Sequence, residues 1–332
     1  MLEELVKSKE ISTTEHEEFQ HLNVVGLVGS IDNDFADTDA TIGCYSSLGR
    51  ICEAVDYIDA TAFSHQRAFV IEVMGRHCGW LALMAGVSTG ADFIFIPENP
   101  PDRNWEAEMC SIIKKVHYMS TSCQAIIDGL LASVSRKAED NRHSTHFLSF
   151  SLHFRLAHET CEMSLGSFTL KPRLELHHSY LIESSTDLVQ VAEGAHDLDL
   201  TKISPTRVKD LLSTTLGLDT RITTLGHVQR GGNACAYDRQ LSTLQGSEAV
   251  KAVLEATPET PSKFIAIIEN KIVRNPLIEA VRSTAQVADA IKEKNFKRAL
   301  ELRGPGMPKR LARGVDIMSN DEQNSRNITV HI

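Results

Sequence analysis

The sequence contains no run of eighteen apolar residues, so no stretch of it reads as a membrane-spanning helix. Positive charge is in deficit. Its 34 lysines and arginines face 44 aspartates and glutamates, a formal net charge of -10, which argues against a general nucleic-acid or anionic-membrane surface and leaves only local basic sites. The seven cysteines, Cys44, Cys52, Cys78, Cys110, Cys123, Cys161 and Cys235, include no CxxC pair. An odd, unpatterned set reads as reduced thiols rather than a disulfide framework or a zinc site. The opening MLEELVKSKEISTTEHEE is charged and lacks the apolar core of a signal peptide, so a cytoplasmic location is expected. There is no HExxH, no GxxxxGK[ST] phosphate loop and no GxGxxG. The missing glycine fingerprint disfavours a nucleotide-binding dehydrogenase, and a nucleotide cradle of the P-loop kind is excluded.

What is present is a globular composition. The 332 residues are 42% hydrophobic and 23% charged, enough for one large or two ordinary domains. Residues 1–20 are expected to be helical, with Leu2, Leu5 and Val6 on one side, and the apolar 22–28 reads as a buried strand. Residues 42–60 space Leu48, Ile51, Cys52, Val55 and Ile58 for a helix. AFVIEVMGR (68–76) is a strand, GWLALMAGVSTG (79–90) a helix closed by Gly90, and ADFIFIPE (91–98) a strand stopped by Pro97. The alternation predicts an α/β layered fold with a mainly parallel sheet.

The pattern fails from about Tyr118 to Asp187, where serine, threonine and histidine dominate. Seven of the fourteen histidines lie in residues 117–178, without regular spacing. Composition predicts a disordered insertion rather than a metal site. Order returns with LVQVAEGAHD (188–197), a strand and loop. SPTRVKDLLSTTLG (204–217) is a helix with Ser204 as N-cap, Pro205 in the first position and Gly217 after its end. Residues 219–232 read as a strand running into a Gly-Gly turn, 238–256 as an amphipathic helix, 263–274 as a strand and turn, and 279–303 as a helix.

Three places could carry chemistry. Gly29-Ser30-Ile31-Asp32-Asn33-Asp34 follows a strand, and ligands in open α/β sheets bind outside the carboxyl ends of strands. A carboxylate there can take a proton from a hydroxyl while a second one orients it, although aspartates also form plain turns. Arg67 precedes and Arg76 follows the 68–76 strand, and guanidinium groups at a sheet rim suit a phosphate. Arg221, His227 and Arg230 bracket another strand end next to Gly231-Gly232, where glycine lets backbone approach a ligand. Any one of these could be ordinary surface. Four arginines in two similar settings favour an anion.

GSIDND, TDATIG, SHQR, VMGRHCG, VAEGA and LGHVQRGG occur in that order. Together they strongly resemble ATP-dependent 6-phosphofructokinase, in particular the catalytic N-terminal half of the long fungal-type enzymes, over residues 1–117 and 188–303. The resemblance implies a phosphofructokinase-like layered fold with mainly parallel sheets flanked by helices. It implies transfer of the γ-phosphoryl group of MgATP to the 1-hydroxyl of fructose 6-phosphate. Asp32 would be the base, with Ser30 and Asp34 positioning the hydroxyl and the transferring group. Arg76, in Met74-Gly75-Arg76, would hold substrate and stabilise transition-state charge. Glu193 would bind sugar hydroxyls, and His227 and Arg230 the sugar phosphate, with Ile31, Val228 and Gln229 lining the site. Arg67 and Arg221 would reach a neighbouring subunit's site, which implies a homo- or hetero-oligomer.

In the family, a nucleotide-binding segment opening on Gly-Gly-Asp and a Gly-Gly-Asp-Gly-Ser loop with the magnesium-binding aspartate precede the point where this sequence starts. An N-terminally truncated core is therefore expected, with the Mg2+ ligand outside the chain and no metal residue assigned within it. The expected parts are a first core segment 1–117, the insertion 118–187, a second core segment 188–303 and an unstructured tail 304–332 without the allosteric C-terminal half. Two functional readings stand: the kinase, and a non-catalytic relative that binds sugar phosphate or a subunit partner.

Overall fold

A computed structural model describes residues 22–117 except 66, and 187–304, with Lys7, Ser8, Ser12 and Met307 as isolated positions. The helix expected over 1–20, the insertion 118–187 up to its last residue, and the tail 304–332 but for Gly304 and Met307 therefore lie outside the described residues.

The strands are β1 (Val25–Leu27), β2 (Gly29–Ser30), β3 (Ile42–Gly43), β4 (Ala68–Val73), β5 (Phe93–Phe95), β6 (Leu188–Ala192), β7 (Thr220–Thr224), β8 (Lys263–Ile268) and β9 (Lys271–Pro276). The helices are α1 (Cys44–His65), α2 (Trp80–Thr89), α3 (105–117), α4 (Pro205–Leu211), α5 (Ala236–Leu254), α6 (Leu277–Lys292) and α7 (Phe296–Leu302). A π-helical turn, Leu212–Leu216, extends α4.

The centre is a four-stranded, all-parallel sheet in the order β5-β6-β4-β7. Its two middle strands are the near-continuous apolar runs AFVIEV and LVQVA, and both are buried almost throughout. That is the composition of parallel strands covered on both faces. Helices α1, α2 and α4 pack on this sheet. Ile51 and Val55 of α1, Leu81 and Ala85 of α2, and Val208 of α4 meet Val70, Ile71, Val189 and Val191 in one core. Each fully buried aliphatic side chain contributes roughly 1.5–3 kcal/mol. The caps follow the sequence. The Ser204 side chain accepts from the Arg207 amide with Pro205 in the first turn, while Gly90 and Gly217 end their helices in the left-handed region.

A second sheet, β1-β8-β9, pairs β1 parallel and β9 antiparallel to the buried β8. Four expectations are corrected here. First, the 22–28 strand is shorter and half exposed, with Val24 at 39% and Leu27 at 46%, because β1 is an edge strand among the described residues. Second, 263–276 is a full hairpin. Glu269 and Asn270, both at positive φ, form its two-residue loop, and that geometry matches the right-handed twist of the strands. Third, 279–303 is two helices. The chain turns at Lys294 (φ 59°), and the Asn295 side chain caps α7 by accepting from the Arg298 amide. Fourth, a 3-10 turn, Gly226–Arg230, separates β7 from the Gly-Gly pair.

Candidate active site

The loops after β2, β4, β6 and β7 all leave from the carboxyl ends of parallel strands, and they meet. The Glu193 amide donates to the Val73 carbonyl (2.8 Å) and the Gly194 amide to the Gly75 carbonyl (3.1 Å), joining the β6 and β4 loops. The Met74 amide donates to Gln229 Oε1 at 3.1 Å, joining β4 to the turn after β7. Two glycines make this closeness possible. A Cβ on Gly194 would sit 2.0 Å from the Arg76 carbonyl oxygen, and one on Gly75 (φ 128°) 2.2 Å from that of Cys78.

The β2 loop is held in a tight coil. Asn33, at φ 53°, accepts from the Thr41 amide (2.9 Å) and donates to the Asp39 carbonyl (3.2 Å). Thr41 Oγ1 donates to the Ser30 carbonyl at 2.5 Å. Ser30 Oγ donates to Asp34 Oδ1 at 2.7 Å and accepts from the Asp32 amide at 3.3 Å. The Ile31 side chain lies beside Gly43 of β3. Asp32 is half-buried, and its Oδ1 has no hydrogen-bond partner among the described residues. Burial first and Asp34 second push its carboxyl above the usual range, and Glu193 adds to this. Arg230 and His77 pull the other way without cancelling it. An under-satisfied carboxylate with a raised pKa at a strand's carboxyl end is poised to accept a proton.

Two arginines, Arg76 and Arg230, act on it. Arg76 Nε donates to Glu193 Oε1 at 2.8 Å while most of the Arg76 side chain stays exposed. His227 and Arg230 are exposed on the 3-10 turn. Val228 is 63% exposed, whereas Gln229 is 2% exposed and bridges Met74 and the Gly226 carbonyl. Gln229 thus shapes the site from inside.

Arg67 and Arg221 are elsewhere. Both lie at the amino ends of β4 and β7, roughly 20 Å from the Arg76 end of a six-residue strand. Arg67 Nε contacts Asp219 Oδ2 at 2.7 Å and Arg221 Nη2 contacts Asp219 Oδ1 at 3.1 Å. Arg67 first, through its hydrogen bond, lowers the Asp219 pKa. The two arginines flanking the 68–76 strand do not share a rim within one chain.

The model of the phosphofructokinase family matches residues 5–170 and 172–253. The chain belongs to the phosphofructokinase family. It is 50% identical over 303 residues to an ATP-dependent 6-phosphofructokinase of Aspergillus fumigatus, covering 91% of this chain and 30% of that protein. It is 49% identical over 304 residues to the ATP-dependent 6-phosphofructokinase subunit beta of Saccharomyces cerevisiae, covering 91% and 25%. The solved phosphofructokinase of Saccharomyces cerevisiae superimposes with a TM-score of 0.73 at 46% identity, over 96% of this chain and 34% of that one. The T-state enzyme of Pichia pastoris gives 0.70 at 43%, over 94% and 28%. The chain spans about a quarter to a third of the length of these relatives.

In this phosphofructokinase chain several site residues carry no signal in the sequence. Asp238, at the start of α5, accepts from the Gly43 amide (3.0 Å) and the Ser46 amide (2.7 Å), and so caps α1 and fixes β3. Glu98 in the loop after β5 and Arg303 just after α7 form a buried ion pair. Among the described residues no three His, Cys, Asp or Glu side chains group as a metal-ligand set. No helix among the described residues is long and apolar enough to cross a membrane.

Proposed function

We propose that this chain supplies the fructose 6-phosphate side of a 6-phosphofructokinase site, with Asp32 as the base. The observation that carries this reading is the unpartnered, half-buried Asp32 Oδ1 amid Arg76, His77, Glu193 and Arg230. The sugar's 1-hydroxyl hands its proton to Asp32 as O1 bonds to the γ-phosphorus of MgATP and the bond from that phosphorus to the β,γ-bridging oxygen breaks, leaving ADP. Ser30 and Asp34 hold the hydroxyl in line. The exposed arm of Arg76 swings onto the phosphoryl oxygens, and Glu193, partly released, accepts from sugar hydroxyls. His227 and Arg230 grip the 6-phosphate, with Ile31, Met74, Gly75 and Val228 closing the lining. Positioning and electrostatics supply most of the rate in such transfers. The Mg2+ that arrives with ATP neutralises phosphate charge.

Arg67 and Arg221, at the opposite end of the sheet, serve a neighbouring subunit in a homo- or hetero-oligomer of phosphofructokinase chains. The setting is cytoplasmic glycolysis.

The test is coupled turnover of the purified chain with MgATP and fructose 6-phosphate, beside calorimetry with the sugar phosphate alone. Turnover that falls at least about 100-fold in Asp32→Ala supports the base assignment. Binding without turnover favours the non-catalytic reading, which rests on the sugar-phosphate groups alone. Neither binding nor turnover overturns both.

A further inference from the structure

The two loops that carry Asp32 and Arg76 are bridged by a group from the far end of the chain. Arg303 follows α7, and its side chain is 5% exposed against 0% for Glu98. Its guanidinium reaches three acceptors: Nε to Glu98 Oε1 (3.0 Å), Nη1 to the Asp34 carbonyl (2.6 Å), and Nη2 to the His77 carbonyl. The other Glu98 oxygen accepts from the Gly79 amide (2.9 Å) at the N-terminus of α2. Cys78 Sγ sits 3.6 Å from the Asn33 carbonyl in the same seam. A second mooring lies nearby, since Thr284 Oγ1 of α6 accepts from the Ala36 amide at 2.9 Å.

A buried ion pair is a poor way to gain stability, because desolvation of both charges offsets much of their attraction. Its merit is geometry. A planar guanidinium satisfies several acceptors in fixed directions, which neither an apolar side chain nor a lysine can do. Here two of those acceptors are main-chain carbonyls in the two loops that must face each other.

We infer that Arg303 and Glu98 are positioning residues that set the gap between the Asp32 loop and the Arg76 loop, so that α6 and α7 act as a brace for the site. The inference rests on the proposed function only in taking Asp32 as the base. The groups that face Asp32 are Asp34 on its own loop, Arg76 and His77 from the β4 loop, Glu193 from the β6 loop and Arg230 from the turn after β7. Moving the Asp34 and His77 carbonyls changes that surrounding directly.

The experiment follows the titration of the Asp32 carboxyl by carbon-13 NMR, assigned by its loss in Asp32→Asn, in the ligand-free chain and in Arg303→Lys and Glu98→Gln. Circular dichroism and thermal melting run in parallel. The expected result is a folded Arg303→Lys chain whose Asp32 midpoint moves by at least about half a unit towards the ordinary aspartate value, as the loop opens and water enters. With turnover measurable, kcat falls about tenfold or more while KM for fructose 6-phosphate changes far less, because a displaced base costs mainly the chemical step. A folded variant whose Asp32 titration superimposes on the wild type overturns the inference. So does failure of both variants to fold, which would make the pair a general support of the fold. Failure of the functional reading looks different: the wild type would neither bind nor turn over the sugar phosphate, yet the ligand-free titration would still shift.

Discussion

The two ends of the central parallel sheet are built from the same kinds of residue and use them in opposite ways. At the carboxyl end, Asp32 keeps an unpaired oxygen, Arg76 is tied to Glu193 by one contact and otherwise exposed, and His227 and Arg230 stand in the open. At the amino end the charged groups pair with one another, although Asp187 Oδ1, like Asp32 Oδ1, has no hydrogen-bond partner among the described residues. Arg67 and Arg221 share Asp219, His117 Nδ1 lies 2.7 Å from Asp187 Oδ2, and Asp92 Oδ2 accepts from the Leu188 amide at 2.7 Å. Uncommitted polar groups held by rigid strands are what ligand recognition and catalysis require. Groups paired with one another hold strand ends together or wait for a partner surface.

The largest effect that would sharpen this contrast is loss of turnover in Asp32→Ala, by at least about 100-fold with the fold intact. A comparable loss in Asp219→Ala assayed as monomer would break it. Next comes Gly194→Ala. Its Cβ would fall 2.0 Å from the Arg76 carbonyl oxygen, which forces the β4 and β6 loops apart and costs about 3 kcal/mol or more, read as a lower denaturant midpoint. Third, Arg76→Ala should weaken fructose 6-phosphate binding by about tenfold to 100-fold, the worth of a charge-assisted contact. Arg67→Ala should leave binding by a single chain nearly unchanged and matter only in the oligomer.

The smallest effect concerns pH. Burial first, and Asp187 among its other causes, raises Asp92 from 3.8 to about 7. The folded state then binds a proton that the unfolded state has released. Stability from this group is full below pH 4 and is lost as pH rises towards 7. Asp92→Asn, which can still accept from the Leu188 amide, should flatten that decline, so its melting temperature relative to wild type should rise between pH 4 and pH 8. A parallel pH profile for the two proteins would show that Asp92 is ionised throughout.

Much of this was legible in the sequence because local chemistry and tertiary role agree. Ser204-Pro205 and Gly90 mark helix ends whatever surrounds them, and LVQVA has the composition of a strand buried on both faces. The β9 strand was hidden because its hairpin loop is Glu-Asn rather than a glycine pair. The break at Lys294 was masked by a sequence that keeps helical spacing across it. The exposure of β1 depends on which neighbours it has, and an apolar run does not state that. Asp32, Arg76, Glu193, His227 and Arg230 follow strand ends in the structure as their motifs follow strands in the sequence, whereas His77 was not singled out there. The separation of Arg67 from Arg76 follows from strand direction and needed only the length of β4. Glu98 and Arg303, 205 residues apart, had no sequence signal at all. Their pairing exists only in three dimensions.

That separation also has a consequence in time. A ribosome lays down Asp32, Arg76, Glu193 and Arg230 long before Arg303. If the guanidinium after α7 sets the distance between the two facing loops, a nascent chain can hold a finished sheet and every reacting side chain and still be incompetent, until α7 has left the exit tunnel and docked.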